Sequence, residues 1–262
     1  VTGAGSGIGE AVVRRFAAAG ATIGIVGRRP ELLDRLANDT GAITLPCDVA
    51  DSGAIKSAIA QLLDQTGGLD VVVNNAAITS RGRVDQIDEE DWQRVMGINV
   101  NGAFQIARET IPHLKRRGGG AIVNVSSIGG LFAAPGAAAY GTTKAAVLGL
   151  TRAMARDHGP DGIRVNTICP GWVDTPMADP AVELIMQAQN LSREEAQAHL
   201  TRFNPIGGMA SPDSIARCIE FLATDASACV TGTILMADNG QSIVDVGFIP
   251  IQMAFETLSE RA

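Results

Sequence analysis

The chain has 262 residues, 46% of them hydrophobic and 19% charged, which is enough apolar mass for one α/β core and too much for a disordered chain. Its formal charge is −7 and no basic block exceeds Lys115-Arg116-Arg117, so the positive footprint of a nucleic-acid binder is missing. No apolar run approaches the roughly 20 residues of a membrane span, and there is neither a Gly-Lys dipeptide for a P-loop nor a G-x-S-x-G for a hydrolase elbow.

The N-terminus opens directly on a glycine turn, Thr2-Gly-Ala-Gly-Ser-Gly-Ile-Gly9, leading into a helix predicted over 8–19. A strand of about five or six residues is expected before such a turn, and in a doubly wound sheet it is the central one. The sequence therefore reads as starting inside a clipped chain, with its first strand missing. Short β-branched runs follow at 21–27, 42–46, 69–74, 121–126, 164–168 and 234–237. Runs such as Val71-Val72-Val73 are apolar throughout, as suits a parallel strand covered on both faces. Helices are predicted between them at 31–38, 53–65, 89–117, 138–157 and 211–224, with another at 180–200 and loops around 204–209. The acidic Asp88-Glu89-Glu90-Asp91 suits a helix start, and Gly118-Gly119-Gly120 after three basic residues suits a helix end. This alternation predicts a single-domain α/β fold with a Rossmann-like, doubly wound parallel sheet.

Three motifs carry chemistry. Gly3, Gly7 and Gly9 precede a helix start, where free amides and the dipole favour a phosphate; a plain flexible turn is the alternative. Tyr140, the only tyrosine, stands four residues before Lys144, so on a helix the phenol and the ammonium share a face. A nearby cation favours the phenolate and lowers a pKa that is ordinarily near ~10. The alternative is a packed tyrosine beside a solvated lysine. Ser127 ends the strand at 121–126, at the sheet edge where open α/β folds bind ligands, or else it merely caps a turn. The four cysteines lack any C-x-x-C and read as free thiols of a reducing, cytoplasmic compartment, and the three histidines show no metal-ligand spacing.

In this order the motifs resemble the short-chain dehydrogenase/reductase family over essentially the whole chain. Its glycine turn matches 2–9, its adenine-side aspartate Asp48, its N-N-A-G the run Asn74-Asn75-Ala76-Ala77, and its helix asparagine Asn99. Its serine matches Ser127, its Y-x-x-x-K matches Tyr140 and Lys144, and its P-G matches Pro170-Gly171, with Thr175 beyond. Ala77 replaces a usual glycine, and Asp238-Asn239-Gly240 stands where Asp-Gly-Gly is usual.

The resemblance implies hydride transfer between a nicotinamide and an alcohol or ketone. Tyr140 would be the general acid or base, Lys144 would hold the nicotinamide ribose and lower the pKa of Tyr140, Ser127 would donate to the substrate oxygen, and Asn99 would anchor a water relay. The cofactor would lie against Thr2, Gly3, Ser6, Gly7, Ile8 and Gly9, then Arg28, Arg29, Asp48, Val49, Asn75 and Ala76. It would also meet Tyr140, Lys144, Pro170, Gly171, Val173 and Thr175. No acid follows the run Val26-Gly27, whereas Arg28 and Arg29 do, which points to NADP by charge and fork geometry. NAD is the alternative if the arginines are only a solvated pair near Asp34.

Met177, Leu184, Met186, Leu191, Phe203, Ile206 and Met209 make 176–210 an apolar segment covering a partly hydrophobic carbonyl compound or secondary alcohol, unless they only pack a helix on the sheet. The family also implies a homo-oligomer, dimer or tetramer, formed through the long helices, with no nucleic-acid or membrane partner. A catalytically silent dinucleotide sensor on the same fold is the competing reading. An epimerase or dehydratase would need a larger C-terminal substrate domain than follows Pro170.

Overall fold

The computed structural model describes residues 1–259. In chain order the elements are α1 (Gly7–Ala18), β1 (Gly24–Gly27), α2 (Pro30–Thr40), β2 (Ile43–Pro46), α3 (Ser52–Thr66) and β3 (Val71–Asn74). Then come α4 (Glu89–Met96), a π-helical turn (Gly97–Asn101), α5 (Gly102–Arg117), β4 (Gly120–Val125), α6 (Ala138–His158) and β5 (Ile163–Pro170). The chain closes with α7 (Asp179–Gln189), α8 (Arg193–Leu200), α9 (Pro212–Ala223), β6 (Ile234–Ala237) and α10 (Ile249–Ser259).

Local chemistry sets the boundaries. The Asp51 carboxylate accepts from the Gly53 and Ala54 amides and starts α3, and Asp88 accepts from Asp91 N and starts α4. Left-handed Gly118 ends α5 after its basic last turn.

Every strand pair is parallel, in the orders β1-β2 and β3-β4-β5-β6. Val1 and Thr2 lie between the two groups. Val26 N donates to Val1 O at 2.9 Å, and Thr2 N donates to Val73 O at 3.0 Å. These residues thus take the central position expected of the strand that leads into the glycine turn. Neighbours on one strand face opposite layers. Ile122 packs with Ile55, Ile106 and Val165 beneath α3, α5 and α6, whereas Val123 packs with Val12, Ile168, Ile215 and Ile219 beneath α1 and α9. Helices therefore cover both faces, and all strands deliver their C-terminal ends to one edge.

Two expectations change and one helix is new. The helix predicted over 89–117 is interrupted by the π-turn, a common way to re-aim a side chain at a functional site. The helix predicted over 180–200 is two helices, because Asn190 takes a left-handed conformation (φ 53°) and ends α7. The tail forms α10, an apolar helix with Pro250 in its first turn, where no element was expected.

Candidate active site

Tyr140 and Lys144 sit on the first turns of α6, and Ser127 follows the end of β4. The three come together. Ser127 and Tyr140 both border Gly129, where a Cβ would stand 3.4 Å from Ser127 Oγ and 3.5 Å from Tyr140 Cε1, and the Lys144 ammonium lies 5.6 Å from the centroid of the Tyr140 ring. Lys144 is 3% exposed, and its Nζ donates to Val125 O at 2.9 Å. Ser127 also caps the turn after β4, accepting from Gly129 N at 3.0 Å, so capping and contact with Tyr140 occur in one residue. Gly130 permits this closeness, because a Cβ there would lie 2.7 Å from the Lys144 carbonyl carbon.

Burial governs the electrostatics. Desolvation holds Lys144 at about 8, well below the usual lysine range. Desolvation also pushes the Tyr140 phenol above its ordinary value, and the nearby Ser127 hydroxyl acts in the opposite direction. Ser127 favours the phenolate, and burial opposes the charged forms of both Tyr140 and Lys144.

Asn99 lies in the π-turn and is buried. Its Oδ1 accepts from Ile78 N at 2.8 Å, while its Nδ2 donates to Ile78 O at 2.9 Å and to Thr143 Oγ1 at 3.0 Å. Thr143, fully buried, donates onward to Tyr140 O at 2.7 Å. The side chain of Asn99 is thus committed to protein partners. Thr143 was missed by the sequence reading, since a threonine in a helix carries no signal of its own.

The glycine turn forms a cradle. Thr2 Oγ1 accepts from the Asn75 and Ala76 amides, each at 3.0 Å, and Asn75 Nδ2 donates to Thr2 O and Gly3 O. A Cβ on Gly9 would stand 2.3 Å from Gly3 O, and one on left-handed Gly7 would stand 3.0 Å from Thr175 Cγ2. Ser6 begins α1 without bonding its first amides, so Gly7, Ile8 and Gly9 offer N–H groups to an anion. These residues fit a dinucleotide phosphate. Across the cradle, Gly171 lies against Asp238 and Gln241, and buried Val173 bridges to Ala210. Pro170 is buried at the end of β5, and Val49 is buried where Gly102 leaves it room.

At the far end of the cradle Arg29 donates to Ser6 Oγ at 3.4 Å, and Arg28 faces Asp48 at 3.8 Å. Their partners are therefore Ser6 and Asp48, not Asp34. Of the apolar residues in the segment after Val173, Met177, Leu184 and Ile206 are exposed, whereas Met186, Leu191, Phe203 and Met209 are half-buried. Gln197 and Arg193 of α8 both donate to Asp174, beside Thr175.

All four cysteines are free thiols, and no cluster of metal-ligating residues occurs among the described residues. No helix among them is long and apolar enough to cross a membrane.

A family model described as enoyl-(acyl carrier protein) reductase matches residues 3–242. The chain is 35% identical to the 3-oxoacyl-[acyl-carrier-protein] reductase FabG of Thermotoga maritima, over 92% of this chain and 95% of that one. It is 34% identical to the meso-2,3-butanediol dehydrogenase of Serratia marcescens, over 94% of each. The fold superposes on a 3-ketoacyl-(acyl-carrier-protein) reductase from Brucella melitensis, solved with NADH, with a TM-score of 0.84 and 30% identity, covering 92% of this chain and 96% of that one. The chain belongs to the short-chain dehydrogenase/reductase family and is an NAD(P)-dependent oxidoreductase acting on CH–OH groups.

Proposed function

We propose that the chain transfers a hydride between NADP(H) and a secondary alcohol or its ketone, with Tyr140, Lys144, Ser127 and Asn99 forming the catalytic set. The observation that carries this is the meeting of the Tyr140 and Ser127 hydroxyls beside a buried ammonium, next to a glycine cradle. The nicotinamide, when bound, supplies or accepts the hydride. In reduction Tyr140 gives its phenolic proton to the forming alkoxide, and in oxidation it takes the proton from the alcohol. Ser127 donates to the same oxygen as negative charge gathers there. Lys144 would hold the ribose of the nicotinamide half, and its positive charge steadies the phenolate. Asn99 and Thr143 fix the turn that carries Tyr140.

Thr2 to Gly9, Asn75, Ala76, Gly171, Val173 and Thr175 would cradle the dinucleotide, and Arg28 and Arg29 would receive a 2′-phosphate. The apolar Met177, Leu184 and Ile206, with Leu131 and Phe132 after Ser127, favour a medium-sized, partly hydrophobic carbonyl compound beneath a cover over 176–210. Exposed Ala145 and Gly149 on α6 and half-exposed Phe104 on α5 suit a homo-oligomer through these helices, which analytical ultracentrifugation would size.

The decisive measurement is absorbance at 340 nm with a panel of ketones and alcohols. Turnover is expected with NADP(H), and Tyr140→Phe should lower kcat about 10³-fold while cofactor affinity is retained. Near-normal turnover in that variant removes Tyr140 from the mechanism.

A further inference from the structure

Among the described residues only Asn190 and Asn239 combine a side chain with a left-handed backbone, at φ 53° and 54°. Asn190 ends α7 within the 176–210 segment. Asn239 stands in the corner after β6, at the position where the sequence departs from the usual Asp-Gly-Gly. Glycine adopts this conformation freely, and asparagine tolerates it better than most residues.

The side chain of Asn239 reaches across to the segment that precedes α9. Its Nδ2 donates to Gly208 O at 3.0 Å, and its backbone O accepts from Ile206 N at 3.1 Å. The next residue, Gly240, lies so close to Pro205 that a Cβ there would stand 2.8 Å from Pro205 Cγ. Buried Asp238 stiffens the corner by accepting from Gly240 N at 3.2 Å and Ser242 N at 2.7 Å. Asn239 and Gly240 thus hold 205–208, and Asp238 braces them. Gly207 and Gly208 are exposed, with open space where a side chain would be, and Gly208 is left-handed, so the pair would hinge freely if released. Two residues further on, the Ala210 amide donates to Trp172 O at 2.9 Å and the Ala210 carbonyl accepts from Asp174 N at 3.0 Å, directly beside Thr175.

We infer that Asn239 is a positioning residue for substrate: its side-chain amide holds Gly208 while its backbone carbonyl holds Ile206, so that the amide keeps the Gly207–Gly208 hinge closed and sets how the segment around it meets an apolar carbonyl compound. This rests on the proposed role of 176–210 as the substrate cover. It also gives a reason for an amide at a position where glycine alone would satisfy the backbone. Asn239 touches neither Tyr140 nor the glycine cradle in any hydrogen bond, so it acts through the segment it holds.

Asn239→Gly is the clean test, because glycine keeps the backbone conformation and removes only the side-chain bond. Loss of one such bond predicts a KM for the ketone raised about fivefold, with kcat within about twofold and dinucleotide affinity unchanged. Amide hydrogen exchange over 203–210 should quicken about fivefold, with the rest of the chain unaffected and Tm unchanged. Asn239→Asp, which tolerates the same backbone but cannot donate, should behave like the glycine variant. Unchanged exchange over 203–210 overturns the tether. Faster exchange there with an unchanged KM overturns the role in substrate positioning. Faster exchange spread through β5 and β6 with a lowered Tm reduces Asn239 to a structural residue. If the unaltered protein turns over no carbonyl compound, the proposed function fails instead, and the exchange measurement still decides whether the tether exists.

Discussion

Two regions at the same edge of the sheet hold their polar groups in opposite ways. Around Tyr140, Lys144 and Asn99 are each 3% exposed, Thr143 is fully buried, and their hydrogen bonds run from 2.7 to 3.0 Å. At the far end of the glycine cradle, Arg28 and Asp48 are 55% and 42% exposed and 3.8 Å apart, while Arg29 reaches Ser6 at 3.4 Å. Buried polar groups persist only when paired, so packing dictates where they stand. Exposed pairs contribute about 0–1 kcal/mol and are screened, so their identity can change with little effect on the fold. The buried region thus suits fixed chemistry, and the exposed region suits adjustable selectivity.

The contrast breaks most sharply at Lys144. Lys144→Met should lower kcat about 10³-fold and at the same time stabilise the protein. The sign follows from burial. With the folded pKa at about 8 and the unfolded value at 10.5, both states are protonated below pH 8 and the folded state carries the full desolvation penalty. Between those values the unfolded chain binds the extra proton, so stability rises with pH. The penalty below pH 8 is about 3 kcal/mol, offset in part by the lost bond to Val125 O, which leaves about 1–2 kcal/mol in favour of methionine. Thermal melts of both proteins at pH 7 and pH 10 check this, because the advantage should shrink at the higher pH. A variant less stable at pH 7 would show that Lys144 is integrated into the core and is not held there against its solvation.

Ser127 sharpens the same side of the comparison with a smaller effect. Ser127→Ala should slow alcohol oxidation about 10²-fold. It also removes the hydroxyl that lowers the Tyr140 pKa, so the rise of kcat/KM with pH should move to higher pH. A profile that stays in place, or moves to lower pH, would take Ser127 out of contact with the phenol in the working enzyme.

What could be read from the sequence follows the same division. The strands and most helices were legible because continuous apolar runs and capping residues such as Asp51 and Asp88 are local signals. Tyr140, Lys144 and Ser127 were legible as motifs, and they do converge. The π-turn at Gly97–Asn101 was not, because a one-residue change of helical register leaves the pattern of apolar residues nearly intact. Nor was the balance of forces on Tyr140. Spacing places a cation one turn away, but how far burial raises the phenol depends on β5 and the turn after β4 packing against α6, which no local window contains. Thr143 and Asn239 act through partners 44 and 31 residues away, so their roles appear only once the chain is folded.

The exposed region gives the smallest and most selective effect. Arg29→Ala should leave Tm unchanged, since its bond to Ser6 is long and solvated. It should lower kcat/KM for NADP about tenfold and leave that for NAD within about twofold. Arg28→Ala should do more harm to NADP than its exposure suggests. It uncovers Asp48, and a carboxylate left alone at that end of the cradle repels a 2′-phosphate. Asp48→Asn should accordingly restore part of the NADP activity lost in Arg28→Ala, and the NADP preference should weaken as salt rises. Equal losses with both cofactors would show that the arginines hold the turn and do not select the phosphate, and cofactor choice would then lie elsewhere along the cradle.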